Sequence, residues 1–178
     1  MSEALDESKV IEAIRTSTEE VFSTMLGMQV AAQAPYRQPS KPGPADGVVA
    51  LIGLAGKWVG NGSICCAPEL ACKISSGMLM SEFPSVNQEV LDAIGEVTNM
   101  VIGNFKLLVE SCFGVLGLSI PMVIFGHNFT ARSLNTADWV VVPFQCEGGV
   151  LEVKVCLSPQ RPLPHPHMPH NETEQVLI

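Results

Sequence analysis

From Val86 to Ser111 the apolar residues keep a helical period for long enough to dictate much of the architecture. Set at about 100° per residue, Val90, Ile94, Val97, Val101, Phe105 and Leu108 form one stripe, while Asp92, Glu96, Asn99, Lys106 and Glu110 fall on the opposite side. A helix with one apolar stripe must bury it against a second layer, leaving its polar side to solvent or to a partner. Residues 5 to 26 repeat the pattern: Val10, Ile14, Val21 and Met25 share a face, Glu12, Arg15 and Glu19 lie away from it, and Gly27 supplies a stop.

The second layer is predicted to be β-sheet. Residues 28 to 34 read as a short strand and Tyr36 to Gly47 as a Pro- and Gly-rich loop. Residues 48 to 66 read as a hairpin turning at Gly56-Lys57, and Pro68 opens a helix carrying Leu70, Ile74 and Met78. After the long helix, LSIPMVIFGHN reads as a strand, with His127 in a Gly-His-Asn turn at its end. ADWVVVPFQC and GVLEVKVCL follow as a hairpin joined at Glu147-Gly148-Gly149.

Laying one long helix over the other at an offset of 76 residues puts Glu20-Val21-Phe22-Ser23 on Glu96-Val97-Thr98-Asn99 and Gly27 on Gly103. The order of elements after each helix repeats as well, which points to internal duplication. The expected fold is therefore α/β of the α+β kind. Two helix-plus-strands units, about 5–80 and 86–157, share one mainly antiparallel sheet with the long helices on one face. Residues 1–157 form that domain; 158–178 are aperiodic and Pro-rich and read as a disordered tail, in which His165, His167 and His170 lack the fixed geometry a metal site needs.

Composition narrows the function. The formal net charge is −8, with 10 Lys and Arg against 18 Asp and Glu and no basic cluster, so nucleic acid is excluded as a partner. The polar start MSEALDESK is no signal peptide, and no apolar run is long enough to span a bilayer, so a cytoplasmic protein without a membrane span is expected. Cys65, Cys66, Cys72, Cys112, Cys146 and Cys156 form no C-x-x-C pair and read as buried free thiols; neither a metal nor a cofactor site is predicted in this chain.

On the long helix, Glu96 and Asn99 are three residues apart, so their side chains are neighbours at about 5–6 Å between Cβ atoms. Gly103 removes a side chain one turn beyond, at a cost of about 1 kcal/mol relative to Ala, which close approach of another backbone would justify. Asp92 and Lys106 share the face and fit either a docking rim or ordinary surface charge. An exposed Glu and Asn on a polar helix face are commonly just solvated.

The segment GEVTNMVIGNFK resembles the signature helix of the CheC/CheX/FliY phosphatases of bacterial chemotaxis, with E-x-x-N followed by G-N-x-K. VVALIGLAGKWVGNGSICCAPELACKISSGML, PMVIFGHN and VVVPFQCEGGVLEVKVCL resemble the strand and helix segments of the same family, so the likeness covers most of residues 5 to 157. Two-site relatives carry E-x-x-N in both halves; here Ser23 replaces the first Asn and Glu20 is left vestigial, a pattern most similar to the single-site CheX branch.

The resemblance implies a phosphatase acting on the aspartyl phosphate of a CheY-like response-regulator receiver. Asn99 would orient the attacking water, Glu96 would pair with the receiver's lysine, and the required Mg2+ would be held by the receiver. A carboxamide suits that task because it both donates and accepts hydrogen bonds, and positioning dominates phosphoryl transfer. The resemblance also implies a homodimer. Two other readings share the scaffold: a non-catalytic receiver-binding module, and a structural subunit of a switch complex. A self-contained hydrolase lacks support, since no Ser-His-Asp order, nucleophile elbow or P-loop occurs.

Overall fold

Asn87 starts the long helix by accepting a hydrogen bond from the Val90 N–H at 2.9 Å through its side chain. The helix ends at Gly114, whose φ of +74° favours glycine and whose N–H reaches the Glu110 carbonyl at 2.8 Å. A computed structural model describes residues 5–40, 45–130 and 137–160. In chain order its elements are α1 (Glu7–Met25), β1 (Ala31–Ala32), β2 (Tyr36–Gln38), β3 (Ala45–Gly56), β4 (Trp58–Cys66) and α2 (Pro68–Leu79). There follow α3 (Gln88–Phe113), β5 (Leu116–Leu118), β6 (Met122–Phe129), β7 (Trp139–Cys146) and β8 (Gly149–Pro159).

On α3, Val90, Ile94, Val97, Val101 and Phe105 are buried as the period requires, but Leu108 is 46% exposed and Val109 takes its place. The cause lies at the C-terminal end. Phe113 packs edge-on against Trp58 with ring centroids 4.9 Å apart, drawing the row Ile102, Phe105, Val109 and Phe113 onto the sheet. The buried stripe thus drifts around the axis and leaves Leu108 outside.

The strands form one sheet in which every pairing is antiparallel, in the order β1-β7-β8-β4-β3-β5, with β2 also on β7 and β6 also on β3. Its centre is the β4–β8 pair, running in register from Trp58↔Pro159 to Cys66↔Leu151. The β7–β8 turn uses Glu147 and Gly148, both at positive φ, as a two-residue hairpin demands. Alternate residues of β3, β4, β7 and β8 enter one core with the apolar faces of α1, α2 and α3, so the three helices cover a single face. Trp139, Val141 and Cys156 form a separate small cluster on the other face. Exchanging α1 with α3, β1–β2 with β5–β6, β3 with β7 and β4 with β8 leaves the sheet order unchanged.

Four local readings need correction. Tyr36–Gln38 is a strand rather than loop, because long-range partners hold it: the Tyr36 hydroxyl donates to Glu152 at 2.6 Å, Lys154 donates to Gln38 at 3.2 Å, and Arg37 pairs with Glu7 on α1. The run LSIPMVIFGHN breaks at Pro121, which has no N–H for the ladder, into β5 and β6. His127 lies within β6, its Nδ1 3.7 Å from Asp46, and the positive φ falls on Asn128 instead. Ser158 and Pro159 belong to β8, paired with Val59 and Trp58. His165, His167 and His170 lie outside the described residues.

One close contact seats α3 on the sheet. A Cβ built on Gly62 of β4 would lie 2.7, 2.8 and 2.9 Å from three side-chain carbons of Ile102, so glycine lets α3 settle onto the strand. Cys66, Cys72, Cys146 and Cys156 are buried free thiols, whereas Cys112 is exposed. Burial pushes the Cys66 thiol up to about 12 from an ordinary value of 9.0. Its protonated form is the one the fold favours, so the stability it confers is complete below about pH 9 and is lost as pH climbs toward 12. Unfolding free energies from urea denaturation, measured upward from pH 9, should fall with a slope approaching about 1.4 kcal/mol per pH unit for that thiol. A Cys66→Val variant should show a shallower decline.

Candidate functional site

The outward face of α3 brings the predicted pair together. Glu96 is exposed and Asn99 half-buried, one turn apart, and neither side chain has a hydrogen bond or ion pair to any described residue. Their neighbours are occupied. Asp92 accepts a hydrogen bond from Gln88 at 2.8 Å, and the Lys106 amine donates to the Leu116 carbonyl at 3.2 Å. Lys106 therefore straps α3 to β5 instead of standing free on the face. An unengaged carboxylate beside an unengaged carboxamide is a site able to receive a cation and orient a water.

The flank of the site is the chain from β5 into β6. A Cβ built on Gly95 would lie 3.3 Å from Val123 and 3.9 Å from Pro121, whereas one on Gly103 would meet only Leu118 Cδ1, at 4.0 Å. With Lys106 reaching Leu116, these contacts show the segment from Leu116 to Val123 running antiparallel along α3 from residue 106 back to 95. Gly95, not singled out from the sequence, is the glycine that allows close packing; its only signal was a position next to Glu96. None of the described residues fills the opening at Gly103.

The equivalent place on α1 differs. Glu20 and Ser23 are exposed, but the Ser23 hydroxyl folds back onto the Glu19 and Glu20 carbonyls at 2.7 and 3.2 Å. A hydroxyl so short and so engaged presents nothing outward. A cleft of about 730 Å³ between α2, the α2–α3 connection and Phe125 is lined by Cys72, Lys73 and Phe83 and includes neither Glu96 nor Asn99. Among the described residues no group of His, Cys, Asp or Glu is placed to hold a metal ion. No helix there is long and apolar enough to cross a membrane.

An antiparallel sheet with its helices on one face is the fold of CheC- and CheX-like chemotaxis proteins. The structure overlays that of a putative chemotaxis protein from Desulfovibrio vulgaris Hildenborough with a TM-score of 0.76, at 29% identity over 84% of this chain and 96% of the other. It overlays CheX of the CheX–CheY–BeF3–Mg2+ complex from Borrelia burgdorferi with a TM-score of 0.72, at 24% identity over 84% and 97%. The CheY-P phosphatase CheX of Thermotoga maritima is 24% identical over 130 residues, 72% of this chain and 83% of that protein. The family model for the chemotaxis phosphatase CheX matches residues 48–145, and the chain belongs to that family.

Proposed function

We propose that this chain accelerates hydrolysis of the aspartyl phosphate on a CheY-like receiver domain. Water attacks the phosphorus in line, the P–O bond to the aspartyl carboxylate breaks, and orthophosphate and a free aspartate result. Asn99 holds that water, its carbonyl accepting a hydrogen bond from it while its NH2 group donates to a phosphoryl oxygen. Glu96 pairs with the receiver's lysine and fixes the docked pose, and Mg2+ belongs to the receiver. The open face at Gly103 admits the receiver's backbone, and Asp92 sits on the rim. A substrate of this kind places the chain in the cytoplasm.

The observation that carries this reading is the outward, unengaged Glu96–Asn99 pair on a helix anchored to the sheet behind it. A relative of the same fold, CheX of Borrelia burgdorferi, forms a complex with CheY, BeF3 and Mg2+. The test is release of labelled phosphate from a phosphorylated receiver with and without the protein. Acceleration supports the reading; no acceleration across the organism's receivers would favour a non-catalytic module on the same scaffold.

We further propose a homodimer formed through the outer edge of β6. Among the described residues that strand pairs only with β3, and it exposes Met122 at 63% and Phe125 at 44%. Light scattering at micromolar concentration should return twice the chain mass, and Met122→Lys should shift it to the monomer; a strict monomer for the wild type would refute the assembly.

A further inference from the structure

Ile120 is 89% exposed, yet the chain that carries it is braced on both sides. Before it, Ser119 grips β3 twice: its N–H donates to the Gly53 carbonyl at 3.0 Å, and its hydroxyl accepts from the Gly53 N–H at 2.7 Å. After it, the chain runs alongside α3 at Gly95, where an added Cβ would lie 3.9 Å from Pro121 and 3.3 Å from Val123. An isoleucine held out to solvent on a fixed backbone loses little freedom when something covers it, which is the condition for a strong contact.

Its location says what covers it. Leu118 lies beside Gly103 and Pro121 beside Gly95, so Ile120 stands level with the middle of that stretch of helix, where Asn99 projects. A second exposed residue, Leu107, is 61% accessible on the same face of α3 as Glu96, past Gly103. It is eight residues beyond Asn99, about 12 Å along the axis. A protein interface of ordinary size covers about 800 Å² on each partner, equivalent to a disc of about 16 Å radius. A receiver centred over Asn99 therefore lies on both residues.

We propose that Ile120 and Leu107 are the apolar docking residues that set affinity for the phosphorylated receiver, one beside Asn99 and the other beyond it along α3. The proposal rests on the reading of Glu96 and Asn99 given above and deepens it. The charged pair addresses the receiver's active site. The flanking Ile and Leu address apolar side chains on the surrounding rim and so set how tightly the receiver is held. Neither residue touches the reacting atoms.

The test is a titration of a CheY-like receiver, held in its phosphorylated form by beryllofluoride and Mg2+, against wild type, Ile120→Ser, Leu107→Ser and a control, Val150→Ser. Val150 is 46% exposed on β8, where its neighbour Leu151 points to the helices and Val150 points away. Kd should rise about tenfold for each of the first two variants, in the range of interface anchors, and stay unchanged for the control. Turnover at saturating receiver should match the wild type in all three, whereas Asn99→Ala loses turnover while still binding. Melting temperatures should be unaffected, because the side chains removed are solvent-exposed.

Wild-type hydrolysis with both variants within twofold of the wild-type Kd would overturn the proposal and leave the functional reading standing. So would a change in dimer mass for Ile120→Ser with receiver Kd unaltered, since a second copy of the chain would then be the occupant. A wild type that neither binds nor dephosphorylates the receiver overturns both.

Discussion

Replacing Asn99 with alanine should reduce accelerated dephosphorylation of the receiver by about 100-fold, the order of loss when a reacting group is no longer positioned. The fold should be untouched. Asn99 is half-buried, has no hydrogen bond to any described residue, and is not among the buried residues through which α3 is anchored. Circular dichroism and melting temperature should therefore match the wild type while single-turnover phosphate release collapses. Asn99→Asp keeps the shape and separates two explanations. If the carboxamide's only contribution were bulk, Asp would substitute for it; a carboxylate in that place faces the phosphoryl anion and should be as inactive as alanine. Full activity in Asn99→Ala would remove the residue from the mechanism.

A stability effect of comparable weight is expected at Gly62. Introducing one methyl group there brings it within 2.9 Å of Ile102 Cγ1, Cγ2 and Cδ1, and Ile102 is fully buried. Alanine in a strand recovers about 0.5–1 kcal/mol of backbone entropy relative to glycine. Forcing extra volume into a close-packed contact costs about 1–3 kcal/mol, so overpacking wins and Gly62→Ala should be destabilised. Ile102→Ala alone should lose about 2–5 kcal/mol to the cavity it leaves. In the double variant each change relieves the other, and the combined loss should fall short of the sum by about 1 kcal/mol or more. Urea denaturation measures all four corners of that cycle. Strict additivity would show that α3 does not rest on β4 through this contact. Ile102 follows Asn99 by three residues on the same helix, so Gly62→Ala should also lower turnover, and Ile102→Ala in the same chain should partly restore it.

How far these features were legible from the residues depends on how local their causes are. The stripe Val90, Ile94, Val97, Val101 and Phe105 announces α3, because a helical period acts over a few residues, whereas its caps at Asn87 and Gly114 came from the structure. The two hairpins are equally plain, since Gly56-Lys57 and Glu147-Gly148 carry the chain reversals within themselves. The α+β architecture, with an antiparallel sheet under helices on one face, follows from those parts.

What escaped has its causes far along the chain. Tyr36–Gln38 is a strand by virtue of Glu152, Lys154 and Glu7. Leu108 is left outside by an aromatic contact between Phe113 and Trp58 that no helical wheel contains. At the site, the three-residue spacing of Glu96 and Asn99 was readable, but their freedom from partners was not. The attachment of Lys106 to Leu116 and the close packing at Gly95 were equally hidden, because both depend on where the segment after α3 returns.

The crosswise pairing of the sheet has a consequence for how such a protein can change. The strands that follow α1 add to β7, and those that follow α3 add to β3, so each half completes its layer with material from the other. The flank on which Asn99 depends is thus hydrogen-bonded to a strand of the half that carries Ser23. Cutting away the half that carries α1 would therefore remove the strand to which the segment beside Asn99 is hydrogen-bonded. The two halves are thus held to one another by the ladder itself, and neither keeps a complete sheet without the other.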